Sequence, residues 1–304
     1  MVTSALLDDV SWKTIALAVP LAAAAILGGA LAAKYTAAPP AIEGPALAVP
    51  ETVTIAPRRF EYRLPGVFFR DGREVDPPLE SAFPKKPLTI MKYQVSAASY
   101  MQCVAEGACT PVGDSLPAGA DAARIPATGL NFEDARAYAA WFSLRTGETW
   151  RLPTDQELAF AAAERFPDDA LGLDDSNNPA LRWLENYRRE AELKAKRQPL
   201  PQPFGHFGEN AFGLADFAGN VWEWTSTCYR RTTLDSPGAA RAGAADQDCG
   251  IYVTAGRHRA PMISFIRDPK EGGCSVGTPP EHLGVRLVRE ESWPERILRG
   301  FRLS

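Results

Sequence analysis

From Thr14 to Ala33 the chain runs for twenty residues without a charge, between Lys13 and Lys34. A helix rising 1.5 Å per residue over that length crosses a hydrocarbon core of about 30 Å. A secretory signal carries a shorter apolar region, roughly 7 to 15 residues, ahead of a small-residue cleavage site. The alanines through Ala32 and Ala33, and Ala37-Ala38 after them, offer such a site, so cleavage is the alternative to an uncleaved anchor. A buried soluble helix does not fit, because the run is apolar all round and a proline-rich stretch follows. The chain therefore divides into a short segment 1–13, an anchor or signal sequence 14–33, a Pro/Ala-rich semi-rigid linker 34–52, one domain 53–290 and a short basic tail 291–304. Flanking charge does not fix the orientation, since Lys13 competes with Asp8 and Asp9 while Lys34, Arg58 and Arg59 lie on the other side.

The domain is expected to be α+β, loop-rich, with few and short strands. Its 26 prolines and 24 glycines per 304-residue chain call for many turns. Three helices can be placed by their ends. Ser96 caps one covering roughly Ala97 to Glu106, stopped by Gly107. Asn131 caps the next, with Glu133 and Asp134 in a first turn that suits negative charge. There Ala135, Tyr138, Ala139, Trp141 and Phe142 recur at helical spacing until Gly147. Thr154 and Glu157 form a capping box for a third helix running to about Arg165. The net charge of −4 and a pI near 5.6 give no reason to expect nucleic acid as a partner.

Five cysteines follow: Cys103, Cys109, Cys228, Cys249 and Cys274. Beyond a membrane, disulfides with one thiol left over are the default. Cys103 and Cys109 bracket the end of the first helix, so a turn there brings them together. Cys249 pairs with either Cys228 or Cys274. A zinc site is the weaker alternative, because there is no CxxC spacing and His206, His258 and His282 are scattered. Disulfides imply an oxidising space, hence a single-pass anchor in a bacterial inner membrane with the domain in the periplasm.

Four stretches taken together resemble one family: MKYQVSAASYMQCV (91–104), NFEDARAYAAWFSLRTGETWRLPTDQELAFAA (131–162), NAFGLADFAGNVWEWT (210–225) and LGVRLVR (283–289). Their order and spacing are similar to those of the sulfatase-modifying-factor, or formylglycine-generating enzyme, family. The resemblance implies a C-type-lectin-like fold over about residues 55–290. In RLPT (151–154), Arg151 is expected to tie its strand to a carboxylate. In GLADFAGNVWEW, Asp216 and Glu223 bracket a loop, and hard cations take oxygens from carboxylates and carbonyls. The resemblance implies calcium on Asp216, the carbonyls of Gly219 and Val221, and Glu223. The alternative is that both carboxylates satisfy buried donors. A second family site would use Asn186 and Tyr187, although the segment supplying its other ligands is shortened.

The family's chemistry does not carry over. Formylglycine generators oxidise a substrate cysteine with two thiols that bind copper(I), a soft ion suited to thiolates. Aligning Ala255-Gly256-Arg257 on the family's glycine segment puts Ala260 and Phe265 at the thiol positions, and no cysteine occurs between Cys249 and Cys274. Neither copper nor iron is expected. In place of the thiols stands a polar cluster of Arg257, His258, Arg259, Arg267 and Asp268. His258 is a candidate acid, base or ligand, and the arginines beside it suit an anionic group on a ligand. The alternative is a set of satisfied structural residues.

The reading that follows is an accessory or maturation factor for an exported protein or peptide, similar to the branch that accompanies copper nitrite reductases in denitrification. A divergent metal-dependent oxidoreductase, like the member that matures the siderophore pyoverdine, is the first alternative. A formylglycine-generating oxidase acting on a sulfatase cysteine is the second.

Overall fold

The computed structural model describes residues 47, 50–113, 116, 119–173, 178–195, 200–235, 249–269 and 282–291. The expected anchor at 14–33, Cys274 and nearly all of the tail lie outside the described residues. Among the described residues no helix is long and apolar enough to cross a membrane. The expected domain falls within one compact unit, Pro45–Ser304.

The three helices end where their caps say. In α1 (Ala97–Ala105) the Ser96 hydroxyl accepts from the Ser99 N–H. In α2 (Phe132–Thr146) Asn131 and Asp134 form a reciprocal capping box, and Gly147 closes the helix in the left-handed region at φ 70°. Thr154 and Glu157 do the same for α3 (Asp155–Ala162). Each cap contributes about 1 kcal/mol. The chain then turns at Ala163, with φ 49°, into a 3-10 turn at Ala163–Arg165, so the third helix is shorter than its apolar pattern suggests.

A fourth helix, α4 (Pro179–Ala195), was not expected. Its start carries a signal: the Asn178 side chain accepts from the Ala180 N–H, and Pro179 takes the first helical position.

The strands are short, as expected, but thirteen of them occur among the described residues, which corrects the expectation of few. They are β1 (Thr52–Ile55), β2 (Phe60–Arg63), β3 (Val67–Arg70), β4 (Arg73–Val75), β5 (Leu79–Ala82) and β6 (Leu88–Met91). After the helices of the first half come β7 (Trp150–Arg151), β8 (Trp222–Cys228), β9 (Arg231–Thr233), β10 (Ile251–Ala255) and β11 (Arg259–Ile263). The closing strands are β12 (Leu283–Gly284) and β13 (Val288–Arg289). One sheet has the order β1-β6-β13-β7 and the other β11-β10-β8-β12, with two small sheets, β2-β5 and β4-β3-β9. Ten of the thirteen span only two to four positions, too short to read as alternation, which is why they escape a reading of the sequence.

The main core packs Tyr138, Trp141 and Phe142 of α2 with Trp150, Trp224 and Tyr252. Trp224 is fully buried and its indole N–H donates to Leu130 O at 2.7 Å. Truncating such a residue costs roughly 3–5 kcal/mol. Folding starts at Thr52, and Leu47 already packs against this core, so the linker's last residues belong to the domain. Disulfides join Cys103 to Cys109 and Cys228 to Cys249, selecting the latter over a Cys249–Cys274 bridge.

Candidate functional site

A cleft of about 500 Å³ opens beside the β10–β11 turn. Its walls come from β3 and β4 (Val67, Glu74), the segment Pro167–Leu171, α4 (Arg182, Asn186, Arg189) and the turn itself (Arg257, His258, Arg259). The turn is shaped by Gly256, where a Cβ would come within 2.7 Å of the Trp222 indole. The absent side chain lets Trp222 reach His258, whose ring meets it edge-on at 4.3 Å and 84°. His258 Nδ1 lies 2.9 Å from the Arg259 carbonyl, which can only accept. Nδ1 therefore carries a hydrogen, and Nε2 is the ring nitrogen left for a ligand.

Beneath the turn sits a buried charge network. Asp155 is completely buried and accepts the Tyr62 hydroxyl at 2.6 Å and Arg259 at 3.3 Å, both on Oδ2. Its Oδ1 has no partner among the described residues. Burial outweighs the pull of Arg259 and the Tyr62 hydrogen bond, and holds this carboxyl above the usual carboxylate range. The Arg259 Nε lies 2.8 Å from Asp169 Oδ2 but off the N–H direction, giving an ion pair without a hydrogen bond. Burial works against charge on Arg259, and Asp155 and Asp169 overcome it.

The expected polar cluster is split. Arg257, His258 and Arg259 line the cleft, whereas Arg267 donates to both oxygens of Asp134 at 2.8 and 2.9 Å at the start of α2. Asp268 is exposed and also outside the cleft walls. The cause is the strand: β11 ends at Ile263 and the chain turns toward α2, where the Phe132 N–H binds Ser264 O at 2.8 Å.

The two positions aligned with the family's thiols do not face one another across a copper site. Ala260 is fully buried in the main core on the face of β11 opposite Arg259 and Pro261, and Phe265 is 67% exposed. A thiol is not supplied from elsewhere in the described residues, because Cys103, Cys109, Cys228 and Cys249 are all closed in disulfides. Residues of this kind do not fit copper(I).

The calcium donors are likewise engaged. Asp216, in the left-handed region at φ 58°, accepts the Gly205 N–H at 2.6 Å and the Phe207 N–H at 2.8 Å. Glu223 receives Arg286 on both oxygens at 2.7 Å, and Gln94 at 2.7 Å. Gly219 has a packing reason of its own, since a Cβ there would meet the Phe207 ring at 2.3 Å. A guanidinium seated on one of two carboxylates leaves the Asp216, Gly219, Val221 and Glu223 set poorly suited to a hard cation. Asn186 and Tyr187 lie inside α4, where their carbonyls accept helical N–H groups. Asn186 lines the cleft while Tyr187 points to solvent, so that pair does not fit calcium either. Arg151 behaves as expected, donating to both oxygens of Glu157 at 2.6 and 2.7 Å and pairing with Glu290.

Sequence reasoning missed Glu74, Asp168, Asp169, Arg182 and Arg189 as cleft residues. No local pattern marks them, because they arrive from separate elements.

Residues 39–291 match the family described as the sulfatase-modifying factor enzyme 1-like domain. The chain is 31% identical over 187 residues to the formylglycine-generating enzyme of Mycobacterium tuberculosis, covering 56% of this chain and 59% of that one. It is 29% identical over 176 residues to the inactive C-alpha-formylglycine-generating enzyme 2 of Mus musculus, covering 57% and 52%. The matches thus span little more than half the length of these relatives. Among solved structures, PvdO from Pseudomonas aeruginosa shares the fold, with a TM-score of 0.51 at 24% identity over 79% of this chain and 94% of that one. The chain belongs to the sulfatase-modifying factor family.

Proposed function

We propose that this chain is a binding module of the family, an accessory or maturation factor for an exported protein or peptide, and not a formylglycine generator. Residues 14–33 would hold it on the periplasmic side of a bacterial inner membrane. The observation that supports this most is the fate of the two thiol positions: a buried core alanine at 260 and an exposed phenylalanine at 265. The cleft beside them is lined by both cations and carboxylates, which suits an extended peptide bearing both charges. Association with a nitrite reductase is the partner class proposed first. Incubating the full chain with copper(I) and a Cys-x-Pro-x-Arg peptide is expected to leave the cysteine intact. Aldehyde in the product would sink this reading.

One observation favours a second reading, a divergent metal-dependent oxidoreductase: an imidazole, His258, in the cleft wall. That reading requires copper or iron to co-purify with the chain and to be lost in His258→Ala. Metal analysis of both proteins decides between the two.

A further inference from the structure

The helix α4 is built inside out. At 100° per residue, Arg182, Glu185, Asn186 and Arg189 fall on one side, and Trp183, Leu184 and Tyr187 on the other, flanked by Ala180 and Ala191. Ordinarily the apolar stripe packs inward and the charged face meets water. Here the polar stripe docks on the domain. Arg182 donates to Asp76 at 2.9 Å, and Arg189 binds the Ala170 carbonyl. Asp76 is itself held by the Leu171 and Gly172 N–H groups at 2.9 and 2.7 Å. Burial works against the Asp76 charge, but those three donors outweigh it and hold its carboxyl below the usual range. The apolar stripe is left outward, with Trp183 65%, Tyr187 63% and Leu184 51% exposed. The Trp183 and Tyr187 rings stack at 5.9 Å and 16°, so the patch is preformed.

We infer that this stripe docks on a lipid surface, with the two aromatic rings seated at the headgroup level. The inference rests on the anchor in the proposed function. The large side chains of the stripe, Trp183 to Tyr187, span little more than one helical turn, which is too little for a dry protein interface. Trp and Tyr, each with an apolar body and one polar tip, are the residues that settle at a membrane–water boundary. Arg188 at the edge of the stripe is taken up by Glu185 and Glu192 of the same helix, so the contact rests on the two rings and not on charge. The tether brings lipid within reach. Only thirteen residues, 34–46, separate the uncharged run from Leu47, which packs on the domain core. At full extension they span no more than about 45 Å. A domain held that close meets lipid continually, and of its faces α4 offers the aromatic stripe.

The test uses the full chain and its Trp183→Phe variant in phosphatidylcholine vesicles, with and without phosphatidylglycerol, doped with lipid brominated in the acyl chain. Bromine quenches nearby indole fluorescence, and Trp183 is the tryptophan that differs. The expected result is a quenched component in the wild type that is absent from Trp183→Phe, of similar size with and without phosphatidylglycerol. Equal quenching in the two proteins overturns the inference and points to a protein partner for the stripe. Alkaline carbonate extraction reads the anchor separately. A chain that resists extraction without a Trp183 component overturns this inference alone. A chain that is extracted yet keeps the component overturns the anchor alone. Because Trp183 is largely exposed, the variant is expected to melt at the wild-type temperature, and Leu184→Ser provides a second probe of the same stripe.

Discussion

Two buried arginines, Arg286 and Arg259, each stand against a carboxylate, and they are satisfied to different degrees. Arg286 spends all five guanidinium hydrogens, two on Glu223 and one each on the carbonyls of Met91, Lys92 and Ala215. It sits between the two main sheets, at the head of the segment that becomes β13. Arg259 has a weaker hold: one nitrogen serves Arg63 O at 2.8 Å and Asp155 at 3.3 Å, another faces Asp169 off-line, and Asp155 Oδ1 has no partner among the described residues. The first pair is a structural staple. The second underlies a cleft and leaves polar capacity unused, as expected where structure gives way to binding.

Breaking the staple should have the largest effect. Arg286→Met leaves Glu223 buried without its cation and is expected to cost roughly 3–5 kcal/mol, read as a lower midpoint in urea. A loss below about 1 kcal/mol would mean Glu223 has another partner, such as calcium. Next comes the bridge that pins the end of β8, the strand carrying Glu223. Cys228→Ser opens a loop with a sequence separation of 21, and is expected to cost about 3 kcal/mol under non-reducing conditions.

The cleft network should respond less, and with pH. The folded chain holds Asp155 above the usual carboxylate range, so it keeps a proton that the unfolded chain has already lost. The stability tied to this group is complete below the usual range and falls as pH rises through the folded-state value. Asp155→Asn cannot ionise, so from about pH 4 upward the wild type should lose stability relative to the variant. Parallel pH profiles in urea would show that Arg259 offsets the burial of Asp155 completely. The smallest effect is expected from calcium. Adding it, or a chelator, should leave the melting temperature unchanged, because Arg286 already occupies Glu223. A rise with calcium would dissolve the distinction between the two pairs.

The helix ends were legible because Ser96, Asn131 and Thr154 act on backbone within three residues of themselves. The α2 core face was legible for the same reason, through its spacing. Glu223 and Arg286 were not, since they meet across 63 positions and neither sits in a local pattern naming the other. Arg257 to Asp268 read as one cluster because they are close in sequence, but a strand sends alternate residues to opposite faces and then ends. The helix α4 carries local signals as well, the Asn178 cap, Pro179 and a one-sided apolar stripe, but its outward orientation is set by partners distant in sequence, Asp76 and Ala170.

The missing side chain of Gly256 bears on the cleft wall from a position that lines none of it. A single methyl group there would collide with the Trp222 indole, the ring that His258 of the wall meets edge-on. Mutagenesis confined to the cleft walls would overlook this control point. Residue 256 is thus the place where specificity could be retuned in small steps while every contacting residue keeps its identity.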